Sequence, residues 1–182
     1  GDQGTAWRAP SFIPLADPPW PTGAGLLYVE GSALPGPKNT PLTIGQTTYY
    51  FRTHFNLDVD PEDLTEFVIS PVIDDGMLIY LNGIEVLPVV DAQGTRHRLR
   101  MPDPGTPEGD NITYDTFATA HVGNAVFEGP FSLPTDALVR GDNVVAVEVH
   151  QENGTSGDIV FGLTLSATVT TQENESIVKG LA

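Results

Sequence analysis

The sequence has 182 residues and no cysteine, and it carries only 8 Lys and Arg against 24 Asp and Glu. Without Cys there is no disulfide, no thiolate nucleophile and no thiolate ligand for zinc. The shortage of cations leaves a formal net charge of −16. Such a surface repels phosphate and has too few cations to release counterions, which excludes nucleic acid as a partner. It also argues against docking on anionic membranes. No apolar run approaches the roughly 18 residues a membrane helix needs, so no membrane insertion is expected. Gly1-Asp2-Gln3 has neither the basic nor the apolar region of a signal peptide, so the sequence reads as a soluble mature form or an excised piece. Absence of Cys suits cytosolic and exported bacterial proteins alike, while the scarcity of Lys leans towards export.

Catalytic signatures are missing too. There is no Gly-x-Ser-x-Gly elbow, no phosphate loop and no His-Glu-x-x-His. The four histidines, His54, His97, His121 and His150, lack metal-ligand spacing. Helical periodicity is equally scarce: only Pro61–Phe67 opens like a single turn, with Asp60 as its cap and Pro61 at its first position.

What is present is period-two alternation punctuated by turns. With 40% hydrophobic and 18% charged residues the composition is globular and not that of a disordered chain. The length suits one domain. Residues 1–46 hold eight prolines, which forbid helix and most strand pairing. They also hold Trp7, Phe12 and Trp20, so this stretch reads as an N-terminal wrap pinned by those rings. Nine short strands are predicted: Leu26–Glu30, Thr47–Leu57, Leu64–Ile73, Met77–Leu81, Ile84–Leu87, Ile112–Thr119, Val126–Leu133, Asn143–Gln151 and Asp158–Thr168. Pro71 demotes the end of the third to an edge or bulge. Asn82-Gly83 between apolar runs is a hairpin turn, because both positions need φ > 0. A polar insertion occupies 88–111. The expected fold is all-β, an antiparallel sandwich of jelly-roll type, with a wrap at 1–46, a core at 47–168 and a polar tail at 169–182.

Two constellations carry chemistry. If the central strands pair, Arg52, Tyr80, Asn82, Glu148 and His150 share one sheet face, and an aromatic platform beside charged hydrogen-bonding groups suits sugar hydroxyls. The competing reading is an Arg52–Glu148 ion pair shielding the sheet, with His150 satisfied by backbone. Asp74-Asp75-Gly76 at a strand end can wrap a hard cation such as Ca2+, with Asn82, Asp158 or carbonyls as further donors. The same triplet also suits a plain solvated turn. The loop Glu152–Asp158 reads as a ligand loop or a hairpin turn. Arg96-His97-Arg98-Leu99-Arg100, the only basic cluster, is expected to pair with surface acids rather than to hold an anionic sugar. Arg140-Gly141-Asp142 fits a turn opening a strand.

Tyr49-Tyr50-Phe51-Arg52, then Asp74-Asp75-Gly76-Met77-Leu78-Ile79-Tyr80-Leu81-Asn82-Gly83, then Asn143-Val144-Val145-Ala146-Val147-Glu148-Val149-His150-Gln151 follow in an order that resembles galactose-binding-like jelly-roll modules of secreted bacterial enzymes and surface proteins. Trp7 and Trp20-Pro21-Thr22-Gly23-Ala24-Gly25-Leu26 are similar to that family's opening segment, without its Asp-Asp-Ser. Arg100-Met101-Pro102 and Tyr114-Asp115-Thr116 are similar to its middle, and the chain departs from it at the longer insertion 88–111. The Asp-Asp-Gly before a Tyr-Leu-Asn-Gly hairpin is also similar to calcium-dependent sugar-binding domains of adhesins, which implies Asp74 and Asp75 as ligands. The resemblance implies a non-catalytic module, secreted or on a bacterial cell surface, that binds glycan or spaces its neighbours. Trp20 or Tyr80 then stacks on the sugar ring while Arg52, Asn82, Glu148 and His150 bond its hydroxyls.

Two other readings stand beside it. One is a structural subunit or spacer of a homo-oligomeric surface assembly, docking through an edge strand or through Ile177, Val178 and Leu181 of the tail. The other is a polysaccharide lyase or hydrolase using His150 with Arg52 and Tyr80.

Overall fold

Asn82-Gly83 is expected to turn the chain, and the computed structural model, which describes residues 1–14 and 19–169, places both residues at positive φ, 50° and 88°. They close a hairpin between β5 (Gly76–Leu81) and β6 (Ile84–Val86). On the other side of β5 runs β10 (Gly141–His150), and beyond it β3 (Thr48–Leu57), giving a four-stranded sheet in the order β3-β10-β5-β6. The second sheet orders β2 (Thr40–Pro41), β1 (Leu27–Val29), β11 (Ile159–Val169), β4 (Leu64–Asp74) and β9 (Phe131–Ser132). A short ribbon pairs β7 (Val89–Val90) with β8 (Arg96–His97).

The protein is thus an all-β sandwich. Alternation sends Val145, Val147 and Val149 of β10 and Met77, Ile79 and Leu81 of β5 inward. There they meet Ile69 and Ile73 of β4 and Ile159 and Phe161 of β11. Phe51 stacks on Phe161 across the two sheets at 4.1 Å between ring centres. Each such side chain contributes about 1.5–3 kcal/mol by leaving water.

Several expectations are corrected. Pro71 lies inside β4, which runs on to Asp74. In an antiparallel strand the N–H and C=O of one residue point the same way. The Pro71 carbonyl accepts from Glu128 N, so the missing N–H faces the 127–132 side, where pairing is only fragmentary, and β11 loses no bond. Val126–Leu133 is reduced to β9, because Gly129 turns the chain at φ 85°. Ile112–Thr119 is not a strand: Thr113 and Thr116 bond each other across a tight turn. The loop 152–158 is no hairpin, since β10 and β11 lie in different sheets. Pro61–Asp63 does form one 3-10 turn, but the Asp60 side chain makes no capping bond. The tail residues Ile177, Val178 and Leu181 lie outside the described residues.

The largest difference concerns the second face of the four-stranded sheet. β5 and the body of β10 are buried on both sides. Trp7, in a 3-10 turn at Ala6–Arg8, is fully buried against Leu78, Tyr80, Val144 and Ala146. Phe12 and Trp20 pack beside it, and Met101 and Ala118 close the rest. Trp7 meets Tyr50 and Tyr80 edge-on, at 5.1 and 6.1 Å. The wrap therefore supplies a second core layer on the face that alternation alone marks as half-polar.

Candidate functional site

Arg52, Tyr80, Glu148 and His150 do share one sheet face, as the alternation of β3, β5 and β10 requires. That face is covered. Tyr80 is 3% exposed, Glu148 2% and His150 0%. None of the three presents itself to a ligand arriving from solution. Glu148 has a full set of internal partners: Arg8 Nη2 at 2.5 Å, the Tyr80 hydroxyl at 3.0 Å and His150 Nε2 at 3.2 Å. Arg8 also lies 4.1 Å above the Tyr80 ring. The acid's guanidinium partner is thus Arg8 from the wrap and not Arg52. His150 Nδ1 meets the Thr116 carbonyl at 2.7 Å, a backbone partner. Burial alone would raise the Glu148 carboxyl, but the His150 hydrogen bond and the Arg8 charge outweigh it and hold it below its usual range. Burial and the Glu148 charge push the Tyr80 phenol up.

Asn82 is likewise engaged in structure. Its side chain donates to Ala137 O and Asn143 Oδ1 and accepts from Val144 N, each at 2.8 Å, locking the hairpin turn to β10. Most of the basic cluster pairs with acids as expected, while Arg96 donates to the Leu87 and Ser132 carbonyls. Arg98 grips Glu85 and Arg100 grips Glu128 with two bonds each. His97 sits between Asp91 and Asp103.

The two remaining residues of the sugar-site expectation, Trp20 and Arg52, do come together. Both line a groove of about 380 Å3 at the side of the sandwich, where β3 of one sheet faces β1 and β11 of the other. Phe51, Val147 and Phe161 give it an apolar floor. Trp20 and Pro21 also line an adjoining hollow of about 400 Å3 towards Thr43 and Gln46. Arg52 donates to Ala9 O from Nη2 at 3.2 Å. Its Nη1 makes no hydrogen bond among the described residues, so the guanidinium keeps donors in reserve at the groove wall.

Asp74 and Asp75 are both fully buried, but they part company. Asp75 accepts backbone N–H groups from Val122 at 2.6 Å and Glu152 at 2.7 Å, which pins two loops. Among the described residues, neither oxygen of Asp74 has a hydrogen-bond partner. Asp74 converges instead with Glu30 and Asp158, one oxygen from each lying within 4.8 Å of the others. Burial first, then the charges of Asp75, Asp158 and Glu30, push the Asp74 carboxyl up to about 9. This acidic triad could hold a metal ion. Asp158 is a donor expected from sequence. Glu30 is not, because its place beside Asp158 depends on the pairing of β1 with β11, for which the sequence carries no local signal.

Comparison with protein-family models, with characterised proteins and with solved structures finds no match to this chain.

Proposed function

We propose that the protein is a non-catalytic, extracellular carbohydrate-binding or accessory module of galactose-binding-like jelly-roll type, secreted or surface-borne in a bacterium. The sugar lies in the groove between β3 and β1. The observation that carries this reading is the meeting of Trp20 and Arg52 on one groove. An indole face offers the apolar side of a pyranose a stacking surface, and a guanidinium with unused N–H groups suits hydroxyl oxygens. A volume of about 380 Å3 stands at the lower end of ligand pockets, the size for one or two sugar rings rather than a long chain. The cation proposed with it is Ca2+, held by Glu30, Asp74 and Asp158 rather than by the Asp74–Asp75 pair, because three carboxylates are hard oxygen donors.

Affinity electrophoresis in gels containing polysaccharides tests the reading. Wild type is retarded by at least one glycan, and Arg52→Ala loses about tenfold or more in affinity by removing charge-assisted donors. A wild-type protein retarded by none of a broad panel of glycans contradicts it.

A further inference from the structure

We infer that a single Ca2+ bound by Glu30, Asp74 and Asp158 clamps strand β1 to the sandwich and so holds the wall of the Trp20–Arg52 groove. The inference rests on the calcium reading above and not on the identity, or the binding, of any sugar.

Strand register puts the three acids together. Val29 pairs with Ile159, so the next antiparallel pair outward is Glu30 opposite Asp158. Asp74 pairs with Val160 from the other side of β11. Counting by two from Val72 and Val160, whose side chains share a small apolar cluster with Leu26, all three carboxylates fall on the outer face of the five-stranded sheet. The end of β1, the start of β11 and the end of β4 thus meet at one carboxylate cluster.

Like charges directly opposite on paired strands repel. A third acid converges on this pair, and among the described residues it is the one whose two oxygens are buried without a donor. Among the described residues, no Lys, Arg or His forms a salt bridge with any of the three. Lys38 reaches only the Glu30 carbonyl, at 2.6 Å, and His121 sits on Asp75 and Glu152. Every neighbouring buried acid in the molecule has its donors, as Glu148 and Asp75 do. Among the described residues Asp74 is the exception, and a cation displacing its proton would supply the partner its oxygens lack. A spacing within 4.8 Å matches oxygens on one ion with bonds of about 2.3–2.6 Å, and an all-carboxylate set with no imidazole or thiolate selects a hard ion.

The consequence for the groove follows from β1. It has three residues, and its outer neighbour β2 has two. A strand this short opens easily. Leu27 points from β1 into the groove, three positions before Glu30 on the same strand run. A cation gripping Glu30 together with Asp74 and Asp158 joins this weak strand to two long ones.

Calorimetric titration with Ca2+ alone, followed by hydrogen exchange with and without it, tests the inference on the intact protein. Ca2+ binds with one site per chain and Mg2+ binds more weakly. With Ca2+ at about ten times its Kd, amide exchange at 26–30 and 40–42 slows about tenfold, since closing is favoured by the bound fraction. Glu30→Gln and Asp158→Asn, both at half-buried positions that tolerate a neutral isostere, each weaken Ca2+ binding on the order of tenfold, because affinity follows ligand charge. No heat of Ca2+ binding to the wild type overturns the site. Binding that leaves exchange at 26–30 unchanged overturns the clamp. Neither result depends on a glycan being found, so a failed glycan screen leaves both arms readable.

Discussion

Glu148 is an acid in the middle of an otherwise apolar strand, and its cation comes from the first turn of the chain, 140 positions earlier. Removing that cation leaves a buried carboxylate with only the Tyr80 hydroxyl and the His150 ring as partners. Arg8→Ala therefore costs about 3–5 kcal/mol of stability, read from urea unfolding, whereas Glu148→Gln with Arg8 retained costs less because the guanidinium is partly exposed. The residue types at this site are legible in the sequence, since alternation places Tyr80, Glu148 and His150 on one face. Their partner is not, because nothing local to Arg8 announces where a 3-10 turn will dock. A second residue-scale prediction concerns pH. Hydrogen bonds to Asp103 and Asp91 raise the pKa of His97 above 6.5. A raised folded-state pKa gives stability that is complete below the ordinary value and is lost as pH rises through the higher one. His97→Gln should thus lower Tm at pH 6 and have a shrinking effect at pH values above the raised pKa, in melts compared across pH 5–9. An effect that grows with pH contradicts the assignment.

Among elements, the ones that carry their own signal are found where expected. The hairpin β5–β6 is fixed by two residues that tolerate positive φ, and β3, β10 and β11 by long alternation. Elements that depend on distant chain are not. Val126–Leu133 has strand-like residues, but Gly129-Pro130 and the Pro71 gap on its partner reduce its pairing to Phe131–Ser132 and an isolated bridge from Phe127 to Val72. The insertion 88–111 looks like a loop, yet its Leu99 and Met101, with Ala118 from the segment expected as a strand, seal the start of β5. Gly76 sits so close beneath them that an added Cβ would lie 2.6 Å from Arg100 O and 2.8 Å from Ala118 Cβ. Gly76→Ala is therefore expected to destabilise by about 1–3 kcal/mol through overpacking, measured by chemical denaturation. Gly157→Ala, with open space around its Cβ position, serves as the control and should be near neutral.

For the whole molecule, the wrap decides which surfaces can act. Proline content marks 1–46 as largely irregular, with one strand expected at Leu26–Glu30, and its tryptophans point to anchoring. That the anchor would bury the polar face, and so move any ligand to the side of the sandwich, follows only once Trp7 is seen against Tyr80. Trp7→Ala empties a fully buried site between the wrap and the sheet and should cost about 3–5 kcal/mol. The proposed glycan site is the side groove and not the covered face. Glycan-array binding of Trp20→Ala compared with Tyr80→Phe, each checked for an intact fold, tests this most directly. Trp20→Ala should abolish binding, and Tyr80→Phe, which removes only a buried hydroxyl from Glu148, should leave it unchanged. Binding that survives Trp20→Ala and is lost in Tyr80→Phe would contradict the account.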